Sequence, residues 1–285
     1  MYNTIVVAFD GSEPSTAALK ESSSWIKRHG GNLVMIHAVY FDEEEFSTVP
    51  EQRERRFELG RNVCYQTRES ISNEFGIEVE SLVCEGEPPD VITDVATEKK
   101  AELIAMGTYG RRGLKRLLMG GVTSKVIVNA PCDVLIVKKS CGECTAEYKS
   151  ILVPFDGSES SKKALERACR LSEVTGANVT VTYVIPRYEE MVGFFRTESI
   201  KTALMQEAEK ITNEAKNIAL NNGIKVNSVI QDGSPGDMII ETANMRQNDL
   251  IVMGTYGWKG VDRAIMGSTT ERVIMHASSP VLVVR

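Results

Sequence analysis

Apolar residues in this chain arrive in short unbroken runs, separated by longer stretches in which they recur every three or four positions. Ile5-Val6-Val7-Ala8-Phe9 is the first run, and its β-branched content suits a strand covered on both faces. Ser12 and Ser15 then offer helix N-caps, with Pro14 in the first turn, and His29-Gly30-Gly31 stops the helix after Arg28. The same reading predicts strands at Leu33–Val39, Ile77–Cys84, Glu102–Met106 and Val134–Val137. Helices are expected at Glu51–Phe75, Pro88–Lys99 and Val122–Asn129, with an acidic loop over Phe41–Pro50.

The order then repeats. Strands are expected at Ser150–Phe155, Asn178–Ile185, Lys225–Gln231, Asp249–Met253 and Val281–Val284, and helices at Ser160–Thr175, Ser199–Asn222, Gly236–Gln247 and Thr269–His276. The repetition extends to residue identity. Ile5–Ser12 returns as Ile151–Ser158, Gly86-Glu87-Pro88 as Gly233-Ser234-Pro235, and Asp133–Val137 as Pro280–Val284. A repeat of roughly 140 residues is a duplicated domain, too long for a solenoid unit. We expect domains at 1–139 and 149–285, joined by a polar linker at 140–148. Alternating strand and helix implies α/β architecture: two tandem five-stranded parallel-sheet sandwiches, Rossmann-like, with right-handed crossovers and strand order 3-2-1-4-5.

Late in each half stands one more shared pattern. Residues 107–127 read GTYGRRGLKRLLMGGVTSKVI and residues 254–274 read GTYGWKGVDRAIMGSTTERVI. Both follow a strand-like run and space their glycines as Gly-x-x-Gly, nine residues, then Gly. In an open parallel sheet, ligands bind beyond the carboxyl ends of the strands, where the strand order reverses. Asp10 and Asp156 follow strand one, and the glycine loops follow strand four, so all converge on that crevice. Gly254 and Gly257 would let the backbone approach a ribose or phosphate. Gly267-Ser268-Thr269-Thr270 opens a helix whose first amides have no intrahelical partner and whose dipole favours an anion. Ser268 and Thr270 would add hydroxyl donors, Asp156 could accept from an adenine amino group or a ribose hydroxyl, and Lys259 and Arg263 would bring charge near the phosphates. The bland alternative is a loop that merely turns the chain, with Asp156 and Ser158 capping a helix.

Asp-Gly-Ser after strand one, the MGTYG step and the Gly-x-x-Gly-x9-Gly-Ser ending resemble universal stress proteins of the tandem type, across essentially all of both halves. The resemblance implies the nucleotide-binding alpha hydrolase kind of sandwich, dimerisation through the last strand, and ATP binding. For the second half it implies a site of Pro154, Asp156, Val184 beside adenine, Met253, Gly254, Gly257, Gly267, Ser268, Thr269 and Thr270. For the first half it implies Ala8, Asp10, Ala38, Met106, Gly107, Gly110, Gly120, Gly121, Val122 and Thr123. The first half departs from the pattern at Gly120-Gly121, which lacks the hydroxyl of Gly267-Ser268, while Arg111 and Arg112 stand where the second half has Trp258 and Lys259.

Composition narrows the picture. A net charge of −6 argues against a general nucleic-acid binder. No apolar run reaches the ~20 residues of a membrane span, and the chain enters its first strand without a signal-peptide pattern. A cytoplasmic protein with six reduced cysteines is expected. Cys141 and Cys144 form a CxxC in the linker, which lacks the further ligands of a zinc site. His29, His37 and His276 are scattered, without metal-site or triad spacing.

The functional expectation is an ATP-binding, nucleotide-dependent stress sensor or regulator. Mg²⁺ would bridge the phosphates, chains would pair as homodimers, and an unidentified protein would be the partner. The sequence has no GxxxxGK[ST] lysine and no evident general base, so no catalytic residue is assigned, and at most slow ATP hydrolysis or autophosphorylation is expected. A non-nucleotide interaction module of the same fold is the competing reading. An adenylating enzyme ranks last, since SGGxDS, HIGH and KMSKS motifs are absent. The apolar strands Val134–Val137 and Val281–Val284 would lie at sheet edges and are expected to serve as pairing strands, within the chain and between chains.

Overall fold

Residues 1–40, 50–108, 119–138, 146–186, 198–255 and 266–285 are described by the computed structural model. By its internal contacts the chain divides into two units, Met1–Ala146 and Glu147–Arg285. Each is considered by itself.

In the first unit the elements run β1 (Thr4–Ala8), α1 (Glu13–His29), β2 (Asn32–Val39), α2 (Pro50–Phe75), β3 (Val79–Glu85), α3 (Pro88–Glu98), β4 (Leu103–Gly107), α4 (Gly121–Asn129) and β5 (Asp133–Val137). The strand order is β3-β2-β1-β4-β5, and every neighbouring pair is parallel. The second unit runs β6 (Ser150–Pro154), α5 (Glu159–Thr175), β7 (Asn178–Pro186), α6 (Glu198–Asn221), β8 (Asn227–Gly233), α7 (Pro235–Met245), β9 (Leu250–Gly254), α8 (Ser268–His276) and β10 (Val281–Val284). Its order, β8-β7-β6-β9-β10, is again parallel throughout and is the same 3-2-1-4-5 arrangement. The expected fold class is the observed one.

Local chemistry explains the boundaries. Ser12 caps α1 and Ser158 caps α5, each accepting the amide hydrogen of the residue three positions on. Of the two candidate caps, Ser15 is instead the residue whose amide Ser12 receives. The central strands are unbroken apolar runs because helices cover both faces: Ile5, Val6, Val7, Ile104, Ala105, Ile151, Leu152 and Val153 are all fully buried. In the first unit α1 and α2 pack together on one face, and α3 and α4 on the other. In the second unit α5 and α6 share one face, and α7 and α8 the other.

Strand order reverses between β1 and β4, and between β6 and β9. The chain leaves β1 towards one edge and β4 towards the other. A crevice therefore opens above the carboxyl ends of these two strands.

Candidate functional site

The first wall of the crevice is the turn that follows strand one. In the second unit the Ser158 amide donates to Asp156 Oδ1 at 3.0 Å, an Asx turn that passes through Gly157 at φ 82°. The first unit repeats this closely: Ser12 N–H donates to Asp10 Oδ1 at 2.9 Å, with Gly11 at φ 78°. The capping role weighed against ligand binding is therefore real. It engages Oδ1 of each aspartate.

The second wall is the end of strand four. A Cβ built on Gly107 would lie 2.7 Å from Pro14 Cβ and 3.0 Å from backbone atoms of α1. One built on Gly254 would lie 2.0 Å from Ser160 Oγ and 2.8 Å from its carbonyl carbon. These glycines let strand four run against the first turn of the helix after strand one. The room left by the missing side chain of Gly254 is taken by α5. What Gly254 can still offer a ligand is backbone.

The third wall is a helix N-terminus. Gly120 N–H donates to Thr108 O at 3.2 Å, and Gly267 N–H to Thr255 O at 3.1 Å, which ties the start of α4 and of α8 to the end of the neighbouring strand. The N-caps Gly120 and Gly267 supply no side-chain cap. In each unit the first-turn amides therefore lie at the crevice with the positive end of a helix dipole behind them. Ser268, at the first position of α8, is exposed. The hydroxyl of Thr270, expected as a donor to the ligand, instead donates to Gly254 O at 3.0 Å. Thr123 does the same in the first unit, reaching Gly107 O at 3.1 Å and Thr108 O at 3.3 Å. Each hydroxyl has a single hydrogen, so these threonines fasten the helix to the strand and leave the anion to backbone amides.

Register places the remaining candidates. Ala8 lies opposite Ile36 on β2, and Ala105 opposite Val7, so Ala8, Ala38 and Met106 share one sheet face, the face of α3 and α4. Pro154 lies opposite Thr182 on β7, which puts Pro154, Val184 and Met253 on the corresponding face of the second unit. Met106, Val184 and Met253 are buried, and Ala8, Ala38 and Pro154 are half-buried. Each set thus lines one side of its crevice with apolar surface. Val122 and Thr269 occupy the first turns of α4 and α8 and are half-buried.

Sequence reasoning missed the opposite face. His37 Nδ1 lies 2.8 Å from Phe9 O, which can only accept, so this nitrogen carries the hydrogen. A Cβ on Gly60 of α2 would lie 3.1 Å from His37 Cδ2, which accounts for a glycine inside a long helix. A glycine interrupting an amphipathic period was the available signal. At the matching place in the second unit stand Tyr183 and Glu207. Burial raises the Tyr183 phenol above its ordinary range, and the charges of Glu207 and Asp156 raise it further.

Gly110 and Gly257 lie outside the described residues, as do Arg111, Arg112, Trp258, Lys259, Arg263, Cys141, Cys144 and nearly all of the expected acidic loop. Among the described residues no group of three His, Cys, Asp or Glu side chains could hold a metal ion. No described helix is long and apolar enough to cross a membrane.

The family model of the universal stress protein family matches residues 1–138 and again 147–285. A universal stress protein of Methanocaldococcus jannaschii is 36% identical over 141 residues, covering 48% of this chain and 82% of that protein. One from Thermus aquaticus is 31% identical over 143 residues, covering 48% of this chain and 100% of that protein. The crystal structure of a universal stress protein from Archaeoglobus fulgidus superposes with a TM-score of 0.77 at 23% identity, covering 100% of this chain and 98% of that one, a likeness of fold. Two consecutive family matches, on two units with one strand order and one repeated crevice, lead to one conclusion: this chain belongs to the universal stress protein family.

Proposed function

We propose that each unit binds an adenine nucleotide at its switch-point crevice, ATP with Mg²⁺ in the first instance, and that the chain acts as a cytoplasmic nucleotide-dependent stress regulator. One observation carries this reading. An aspartate turn, an apolar sheet face and a helix N-terminus without a side-chain cap meet at the carboxyl ends of β6 and β9, and again at β1 and β4. These are the three surfaces a nucleotide needs: an acceptor for its amino or hydroxyl groups, apolar cover for its base, and amides for its phosphates.

The residues present fit such a ligand. The backbone amides of Ser268, Thr269 and Thr270 would hold the phosphates, and those of Gly121, Val122 and Thr123 would do so in the first unit. Asp156 and Asp10 would orient the other end. With no acidic cluster among the described residues to cage a cation, Mg²⁺ would ride on the phosphates, as it commonly does. Nothing among the described residues is placed as a general base, so the proposed role is regulatory binding, with at most slow hydrolysis. We also propose that chains associate as homodimers, which sedimentation at micromolar concentration checks directly; a strict monomer rejects it.

Mass spectrometry of the small molecules that copurify with the chain, followed by calorimetry with ATP and GTP, tests the nucleotide reading. ATP should bind more tightly, because guanine presents a carbonyl where adenine presents an amine to Asp156. Equal affinities would remove the role of Asp156. No binding of either would remove the reading altogether.

A further inference from the structure

The two crevices differ in what stands behind the aspartate turn. In the first unit the β1–β2 register ends at Ala8 opposite Ile36, and Phe9 N–H then donates to Ile36 O at 2.9 Å. The carbonyl of Phe9 falls beyond the ladder. A side chain supplies its donor: His37 Nδ1–H, at 2.8 Å. That carbonyl belongs to the peptide that carries the nitrogen of Asp10. A peptide is planar, so holding its oxygen sets the direction in which the Asp10 Cα lies. Asp10 Oδ1 then accepts the Ser12 amide and closes the turn.

Distance fixes the orientation of the ring. Turned over, the imidazole would bring Cδ2 to the place of Nδ1, 2.8 Å from a carbonyl oxygen. A C–H group approaches such an oxygen only to ~3.3 Å. On its other side the ring meets α2, where a Cβ on the buried Gly60 would lie 3.1 Å from Cδ2 and 3.5 Å from Nε2. The ring is thus held between a carbonyl and a helix backbone. The second unit has different parts. Its register ends at Pro154 opposite Thr182, and Phe155 N–H donates to Thr182 O at 2.9 Å. The next residue is Tyr183, whose one donor sits at the far tip of the ring and not beside Cγ. Glu207 stands as far before Gly223 as Gly60 does before Gly76.

We infer that His37 is the positioning residue of the first crevice: its Nδ1–H holds the Phe9 carbonyl and so aims the Asp10 turn at the ribose or base of the bound nucleotide, while Gly60 makes room for the ring. This rests on the nucleotide reading above. His37 acts through Asp10 and does not itself touch the ligand. The phosphate end of the site, built from the amides of α4, does not depend on it.

The test has two arms, both on the full chain. Long-range ¹H–¹⁵N spectra of the histidine rings should show His37 with its hydrogen on Nδ1, the signal being assigned by its absence from His37→Asn. ATP with Mg²⁺ should shift both His37 nitrogens. His29, about 25 Å from the crevice along α1, should stay where it is. The second arm is calorimetry. Asparagine keeps a donor near the place of Nδ1, and leucine has the same shape without one. His37→Leu should weaken one of two ATP-binding phases by roughly 2- to 13-fold, the net worth of a single neutral hydrogen bond, and His37→Asn should keep it. Inorganic tripolyphosphate, which offers Asp10 nothing, should bind all three proteins alike. If ATP binds and the His37 nitrogens do not move, or if the hydrogen sits on Nε2, the inference is wrong and the nucleotide reading stands. The same follows if the leucine and asparagine variants bind ATP alike, or if leucine weakens tripolyphosphate as much as ATP, which is general damage to the unit. The spectra need no variant that could misfold beyond the one used for assignment. If ATP does not bind the unsubstituted chain, both readings are wrong.

Discussion

Thr270 donates its hydroxyl hydrogen to the carbonyl of Gly254 at 3.0 Å, and so joins the first turn of α8 to the last residue of β9. The bond fixes where the amides of α8 lie relative to the strand end. Thr270 is 3% exposed, and the carbonyl it serves belongs to the half-buried Gly254. Thr270→Val should destabilise the second unit by about 0.5–1.5 kcal/mol, the net contribution of one hydrogen bond. Thr270→Ser should recover most of that. Urea denaturation of the three proteins decides the matter, and equal midpoints would sink the argument.

Gly254 gives a sharper test of packing. A methyl group there would stand 2.0 Å from Ser160 Oγ and 2.8 Å from its carbonyl carbon. The side-chain oxygen can rotate away but the backbone carbon cannot. Gly254→Ala should therefore cost about 1–3 kcal/mol through overpacking. Pairing it with Ser160→Gly should restore little, because the backbone clash remains. A thermal melt of Gly254→Ala that matches the parent would show the contact to be soft.

Burial pushes the thiols of Cys64 and Cys169 up to about 11, from an ordinary value near 9. The unfolded chain ionises these thiols first as pH rises. Their contribution to stability is thus fully present below about pH 9 and is lost as pH rises towards about 11. Cys64→Ala and Cys169→Ala should each flatten the fall of unfolding free energy across that window. The native thiols should also resist alkylation at pH 8, since little thiolate forms. Rapid native labelling of either residue, followed by peptide mass spectrometry, would contradict this.

Most of the architecture was legible because two periods are hard to confuse. Unbroken runs such as Ile151–Val153 can only sit between layers, and serine, proline and glycine punctuate the helices around them. The duplication then let each half check the other. The crevice was legible as a location, since Asp156 follows β6 and Gly254 ends β9, strands that the switch-point rule makes neighbours. It was less legible as chemistry. Nothing in the spacing tells that Thr270 faces a strand carbonyl, or that the Gly254 cradle holds α5. Those facts depend on how closely a helix approaches a strand, a tertiary distance with no local signature.

The difference between Gly120-Gly121 and Gly267-Ser268 leads to the last prediction. Ser268 and Gly121 are the first residues of α8 and α4, and both are exposed. If the phosphates lie on these helix ends, Ser268 adds a hydroxyl that the first unit lacks. A hydrogen bond to a charged group contributes ~1.5–3 kcal/mol when buried and less where water competes. A Cβ on Gly121 would meet no atom within 4 Å, and the residue is not in the left-handed region. A serine can therefore be installed there without strain. Gly121→Ser should raise ATP affinity at the first site by roughly three- to tenfold and leave the second site unchanged, whereas Gly121→Ala, which adds the carbon alone, should do neither. Calorimetry that resolves two binding phases makes the comparison. If alanine tightens binding as much as serine, helix propensity is the cause and the hydroxyl is not a phosphate ligand. If neither changes the weaker phase, the difference between the two sites lies elsewhere than at this residue.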